Sequence, residues 1–496
     1  MARPNILFLM CDQFRFDCIA ALGNKKILTP NIDRLVHRGV TFTNAYSPCP
    51  VCIPARYVLR TGSEPYTTKC FSNSFGKKPG DDDMPARTGK YLASAMKDRG
   101  YYTFGIGKFH TRPDPYEDCG YDIQMNMEEE LWKTEEERLR DAYAGFIRRE
   151  HPEYNHIQQL HGERTNMYYM PQASPFPPEL TVEAYVASQA IEQIETVRNK
   201  PYFGFVSFVG PHPPCAPPVP YNLLYNPDEM DAPVVGDIKL DHMDEQIPWM
   251  NYLIWADGIN DFGAKNFKSR YYGEITYIDN CIGKILDAVE AREDADNTLI
   301  CFFADHGDHL GDHHAWQKES YFEQSCHIPF LLSWPAKYGD DEKCDALVTL
   351  SDLFGIATAA AGEPEYRDGY PVLDMLYGNA APRDYLFACH ETPGTGRFKA
   401  MIRQGDYKYI YMANGGQEQL FNLKDDPNEL VNLNDAIRRA EMKHILENHC
   451  RRDGLWEALD ENGCIRAFEY TARPLIRVHQ FDASFGVHDF TFKPEK

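Results

Sequence analysis

Runs of apolar, β-rich residues alternate along this chain with segments whose apolar positions recur every three or four residues. Residues 5–10, 101–106, 202–209, 298–304 and 328–333 read as buried strands. Residues 88–99, 181–197 and 351–361 read as helices. Tyr271, Ile275, Ile278, Ile282, Leu286 and Val289 mark the apolar stripe of another. Strands alternating with helices predict an α/β fold, a parallel sheet covered by helices. Two long stretches interrupt this rhythm. Residues 112–180 carry a charged helical pattern over 127–149 and Pro-rich flanks, and residues 211–267 are Pro- and aromatic-rich. Such insertions serve as lids or substrate loops, or only as surface. From about residue 382 short alternating runs (399–403, 407–411, 419–422) predict an antiparallel sheet. The expected division is a catalytic domain over 1–380 and a smaller C-terminal subdomain over 381–496.

With 496 residues the chain can bury a large core. It carries 51 basic and 74 acidic residues, a net charge of −23. That balance argues against a general nucleic-acid or anionic-membrane binder, though not against a local basic pocket. The N-terminal apolar run is short and leads straight into Cys11-Asp12-Gln13, unlike an export signal. No run reaches membrane-spanning length. The expectation is a soluble, cytoplasmic protein whose 14 scattered cysteines are reduced.

Four of the strands run directly into chemistry. The first meets Asp12, the second Gly107-Lys108-Phe109-His110, the third Gly210-Pro211-His212, and the fourth Asp305-His306-Gly307-Asp308. In an open parallel sheet the carboxyl ends of the strands share one edge, and ligands bind there. Asp12, Asp305 and His306 would supply two carboxylates and an imidazole, a set that suits a hard divalent cation such as Ca²⁺, Mg²⁺ or Mn²⁺ better than zinc. Singly, an aspartate that caps a loop or a histidine that fills a gap would be unremarkable. His309, His313 and His314 read as loop residues rather than ligands.

Cys49 and Cys52 form a C-x-x-C pair, the pattern of a redox dithiol or half a zinc site, but no second pair exists. Pro54 suits a first helical turn and Gly62 a helix end, which places Cys52 at a helix N-terminus with Arg56 one turn on.

Cys52-Ile-Pro-Ala-Arg56 resembles the modification motif of the type I sulfatases of the alkaline phosphatase superfamily, whose cysteine is oxidised to formylglycine. Residues 5–12 are similar to the family's opening strand and first metal aspartate. Gly107-Lys108-Phe109-His110 resembles its G-K-x-H element, and Pro211-His212-Pro213 its P-H-x-P element. Residues 305–313 with Trp316-Gln317-Lys318 resemble its second metal cluster and adjoining lysine. Residues 403–409 and 420–429 are similar to its C-terminal sheet. The resemblance implies a large, mixed but mostly parallel sheet between helices, with a small C-terminal antiparallel sheet.

It also implies a mechanism. Cys52, matured by a formylglycine-generating enzyme, becomes an aldehyde and then a gem-diol; one hydroxyl attacks sulfur and the other releases sulfate. Asp12, Cys52, Asp305 and His306 hold the metal, calcium first among the candidates. Arg56 holds the diol, Lys108 and Lys318 neutralise sulfate oxygens, His110 acts as base, and His212 is the candidate general acid. Gln13, where many relatives have a second aspartate, is either a neutral ligand or a substrate contact. Gln13, Ala55 and His306 also occur together in phosphonate monoester and phosphodiester hydrolases of the superfamily. The leading function is therefore hydrolysis of a small-molecule or sugar sulfate ester, with a phosphonate or phosphodiester hydrolase as rival. A non-catalytic metal- or redox-binding protein built on Cys49 and Cys52 is the alternative of another class. An inactive relative is disfavoured, since every motif position is filled. The aromatic insertions fit sugar, aryl or steroid groups, or plain packing, and the tail over 473–496 reads as a segment able to reach a neighbouring subunit in a homo-oligomer.

Overall fold

A computed structural model describes residues 3–76, 83–128, 135–154, 157, 160–162, 167–196 and 198–477. The first sheet has eight strands: β1 (Asn5–Cys11), β2 (Val40–Tyr46), β3 (Tyr102–Gly107), β4 (Ile123–Asn126), β5 (Tyr202–Phe208), β6 (Thr298–Ala304), β7 (Phe330–Ser333) and β8 (Glu342–Thr349). Their order is β4-β3-β5-β1-β6-β7-β2-β8. All neighbours run parallel except at β7, which is antiparallel to both β6 and β2. The fold is therefore the expected large, mixed and mostly parallel sheet.

Every residue of β1, β5 and β6 is buried. That follows from near-continuous apolar sequence, the mark of strands covered on both faces. Phe8 packs edge-on against Phe203 and Phe303 of its two neighbours, at 5.4 and 5.8 Å between ring centres. The helices Val182–Glu195 and Asp261–Glu290 lie among the flanking elements, the latter 30 residues long and extending the stripe seen in the sequence at its N-terminal end. The helix expected over 88–99 is shorter, Leu92–Asp98. The charged pattern over 127–149 gives two helices, Glu135–Arg140 and Ala142–Glu150, while residues 129–134 lie outside the described residues. Asp141 breaks them apart because its side chain caps the second by accepting from Ala144 N–H.

A second sheet of four antiparallel strands, β9 (Leu386–His390), β10 (Lys399–Gln404), β11 (Tyr407–Met412) and β12 (Gln417–Asn422), is ordered β12-β11-β10-β9. It is fastened to the rest through buried charge. Lys408 Nζ lies 2.8 Å from Glu323 and 2.6 Å from Glu429. Lys399 Nζ reaches Asp244 at 2.5 Å and also donates to the Glu319 carbonyl. The second sheet thus grips the loop that carries Lys318. The tail, as far as residue 477, lies on this chain's own insertion: Arg473 covers the Trp249 ring, and Arg477 pairs with Asp257 at 2.8 Å. Residues 478–496 lie outside the described residues.

Just beyond helix α1 (Cys52–Thr61) stands Glu64, whose Oε1 accepts the hydroxyls of Ser351 (2.7 Å) and Thr349 (3.1 Å). Burial, with Asp352 and Asp368 adding to it, pushes the Glu64 carboxyl up to about 8 against the opposing pull of Ser351 and Arg383. A carboxyl raised in the fold binds its proton more tightly there than when unfolded. Its contribution is complete below about pH 4.5 and fades as pH climbs to about 8, with a slope of up to about 1.4 kcal/mol per pH unit. Glu64→Gln removes that slope: between pH 5 and 8 the wild-type thermal midpoint should fall relative to the variant's. Parallel curves in pH-resolved melts would refute the assignment.

Candidate active site

The strand register sets the site before any side chain is considered. Cys11 pairs with both Phe208 and Ala304, and Gly107 with Ser207. The next residues along β1 and β6, Asp12 and Asp305, therefore leave the sheet at one level, and Lys108 leaves β3 one residue earlier, beside them. The four strands named from the sequence are consecutive neighbours, β3-β5-β1-β6. Gly107 is required at its turn: φ is 113°, and an added Cβ would lie 1.8 Å from the Ser207 carbonyl oxygen.

Helix α1 begins at Cys52 and ends at Gly62 in the left-handed region, φ 65°. Its first turn brings Cys52 over the strand ends. One ligand atom from each of Asp12, Cys52, Asp305 and His306 falls within 4.8 Å of the others, and all four residues are buried. The Cys52 sulfur lies 3.3 Å from His306 Nε2 and 3.8 Å from Asp12 Oδ1.

Arg56, 1% exposed, spends its guanidinium on the cluster. Its Nη2 donates to Asp12 at 2.7 Å, its Nε to Asp305 at 3.0 Å, and its Nη1 to the Lys108 carbonyl and to Ser207 Oγ. Lys108 Nζ is 2.7 Å from Asp12. Lys318 Nζ bridges Gln13 Oε1 (2.8 Å) and the Cys52 sulfur (2.9 Å). Burial opposes the Asp12 charge, but Lys108, Arg56, His212 and Lys318 outweigh it and hold the carboxyl well below the usual carboxylate range. His306 moves the other way. Burial holds its pKa below the ordinary value, with Lys318 adding to the effect. Its Nδ1 faces the Gly307 carbonyl at 3.1 Å, an acceptor only, so that nitrogen carries the hydrogen and Nε2 presents a lone pair to the cluster.

Two carboxylates, a neutral imidazole with its lone pair inward and the oxygen of Gln13 nearby form a donor set that fits a divalent cation. The site also has more cations than anions touching the sulfur and Asp12, which favours an anionic substrate.

His212 is buried at the end of β5. Its Nδ1 faces the Pro213 carbonyl at 2.7 Å, an acceptor only, so that nitrogen carries a hydrogen. Tyr168 donates to the same carbonyl at 2.8 Å. His110 follows Lys108 in a left-handed conformation, φ 54°, with Nε2 3.4 Å from Arg112. The amides of Phe109 and His110 are both held by Glu128. In the sequence Glu128 only opens an acidic run, which carries no local signal of this role. His313 and His314 are second to the cluster: both bond Asp241, at 2.9 and 2.8 Å, and tie the 211–267 insertion to the metal-cluster loop. His309 bonds Ser320 at 2.7 Å.

Cys49 has a different environment from Cys52. Its sulfur faces the Phe71 carbonyl at 3.5 Å, burial raises its pKa well above the usual thiol value, and none of the fourteen cysteines is in a disulfide. No helix among the described residues is long and apolar enough to cross a membrane.

Comparison with known proteins agrees with this geometry. The family described as Sulfatase matches residues 4–363, and the C-terminal family described as N-sulphoglucosamine sulphohydrolase matches residues 311–453. An arylsulfatase of Clostridium perfringens is 30% identical over 457 residues, covering 87% of this chain and 90% of that protein. A choline-sulfatase of Rhizobium meliloti is 28% identical, covering 87% and 82%. The crystal structure of a phosphonate monoester hydrolase of Agrobacterium radiobacter superposes with a TM-score of 0.74 at 24% identity, covering 95% of this chain and all of that one. The chain belongs to the sulfatase family, sulfuric ester hydrolases built on the alkaline-phosphatase fold.

Proposed function

We propose that this enzyme hydrolyses the sulfate ester of a small molecule or sugar through residue 52, matured to formylglycine by a dedicated modifying enzyme. The observation that carries this reading is the convergence of Cys52 with Asp12, Asp305 and His306 within 4.8 Å at a helix N-terminus. As formylglycine, residue 52 would supply a hydrated aldehyde with one hydroxyl to take the sulfuryl group and a second to release it. A divalent cation held by Asp12, Asp305, His306 and residue 52, calcium being our first choice over magnesium and manganese, would supply Lewis acidity.

The rest is done by this chain's own groups. Arg56 clamps the two carboxylates in one orientation, since three of its nitrogens are committed to them and to the β3 turn. Lys318, 2.9 Å from the residue 52 sulfur, is placed to meet oxygens of a group bound there. Lys108 is placed at Asp12 on the other side. Both neutralise negative charge that grows in the transition state. His212, with Nε2 directed by its bond to Pro213, would protonate the leaving oxygen, and His110 would take a proton from residue 52. Gln13 completes the wall through its carbonyl oxygen.

The rival reading rests on the superposition with phosphonate monoester hydrolases, two of which reach TM-scores of 0.74 and 0.73. Their likeness is one of fold. Side-by-side turnover of an aryl sulfate and an aryl phosphonate separates the two readings. The expected result is a higher kcat/KM for the sulfate, and a large preference for the phosphonate would overturn it. Cys52→Ala should lower kcat by about a thousandfold or more, the scale on which removal of a nucleophile acts. Dialysis against a chelator should abolish turnover, and calcium, magnesium and manganese added back singly should restore it, calcium most fully. Full activity after exhaustive chelation would remove the metal from the account.

A further inference from the structure

Gln13 lies between two groups of opposite polarity. On one side its Nε2 donates to Asp308 Oδ2. Tyr169 donates its hydroxyl to the same oxygen at 2.5 Å, and Leu310 N–H binds Asp308 Oδ1 at 2.8 Å. On the other side the ammonium of Lys318, which can only donate, meets Gln13 Oε1 at 2.8 Å and the Cys52 sulfur at 2.9 Å. The two ends of an amide have almost the same shape, so packing alone does not choose between them. A flipped amide would set NH₂ against the ammonium and a carbonyl oxygen against the carboxylate.

We propose that Asp308 and Tyr169 are positioning residues: they fix the amide of Gln13 so that its carbonyl oxygen holds Lys318 against residue 52. The arrangement is well supported on both sides. Tyr169 is wedged between Phe267 and Trp316, with ring centres 4.6 and 4.7 Å away. The Gln13 backbone has φ 63°, and its carbonyl accepts the Tyr271 hydroxyl at 2.7 Å. Tyr169 belongs to the 112–180 insertion. That insertion therefore contributes a side chain to the reacting centre.

The proposal rests on the reading of the site given above, and its test separates the two. The wild-type enzyme, metal-replete and full-length, is first assayed on the aryl sulfate and the aryl phosphonate; the substrate it prefers decides the earlier reading. The variants are then measured on that substrate. Asp308→Asn frees the amide to flip and should lower kcat about tenfold, and Gln13→Glu, which opposes two carboxylates, should lower it at least as much. Combined, Gln13→Glu and Asp308→Asn rebuild the same polarity, with asparagine donating and glutamate accepting. The double variant should be about tenfold faster than the slower single variant. Losses that simply multiply would overturn the proposal. Tyr169→Phe keeps the ring packing and serves if Asp308→Asn fails to fold. It should lower kcat about fivefold at unchanged KM and melting temperature, and an unchanged kcat would equally overturn the proposal.

Discussion

Asp12 and Asp305 carry their charges where almost no water reaches, and much of the structure around them answers to that constraint. A carboxylate buried without a partner costs several kcal/mol and would otherwise be protonated. Here one guanidinium, that of Arg56, binds both. Its placement requires helix α1 to start over the strand ends, Gly107 to let β3 and β5 approach, and Ser207 to take a remaining donor. Lys108 then reaches the same Asp12 oxygen, Oδ2, that Arg56 binds. Arg56 and Lys108 thus hold the two carboxylates between them.

That arrangement also explains why the second sheet matters to the chemistry. Lys318 sits in a loop with several residues in left-handed conformations, Gln317 and Glu319 among them. Such backbone persists only when its surroundings hold it. Lys399 at the start of β10 donates to the Glu319 carbonyl, and Lys408 on β11 anchors Glu323. Burial of these lysines is compensated by Asp244, Glu323 and Glu429. The C-terminal strands thereby fix the reach of a cation toward residue 52.

Much of this was legible in the sequence because continuous apolar runs such as residues 5–11 and 298–304 specify doubly covered strands, and polar residues immediately after them fall on one edge. Cys52, Pro54 and Gly62 marked the helix correctly for similar local reasons. What escaped depends on distant partners. β2 and β8 mix polar and apolar positions, and the reversed direction of β7 is set by its neighbours, not by its own residues. Asp308 stood in a visible motif, but its bond to Tyr169, 139 residues away in sequence, had no local signal. Glu128 opens an acidic run with no local sign of burial, and only the fold buries it beneath the Lys108 turn.

The C-x-x-C pattern is the place where local sequence pointed two ways. The geometry assigns its two thiols to different surroundings, Cys49 to a backbone carbonyl and Cys52 to the charged cluster. The central claim is that residue 52 is a rebuilt oxygen nucleophile, and the mass of the peptide containing it tests this most directly. Protein produced together with a formylglycine-generating enzyme, and active, should show the thiol of residue 52 replaced by an aldehyde. An intact Cys52 thiol in fully active protein, or a Cys49–Cys52 disulfide, would contradict the account.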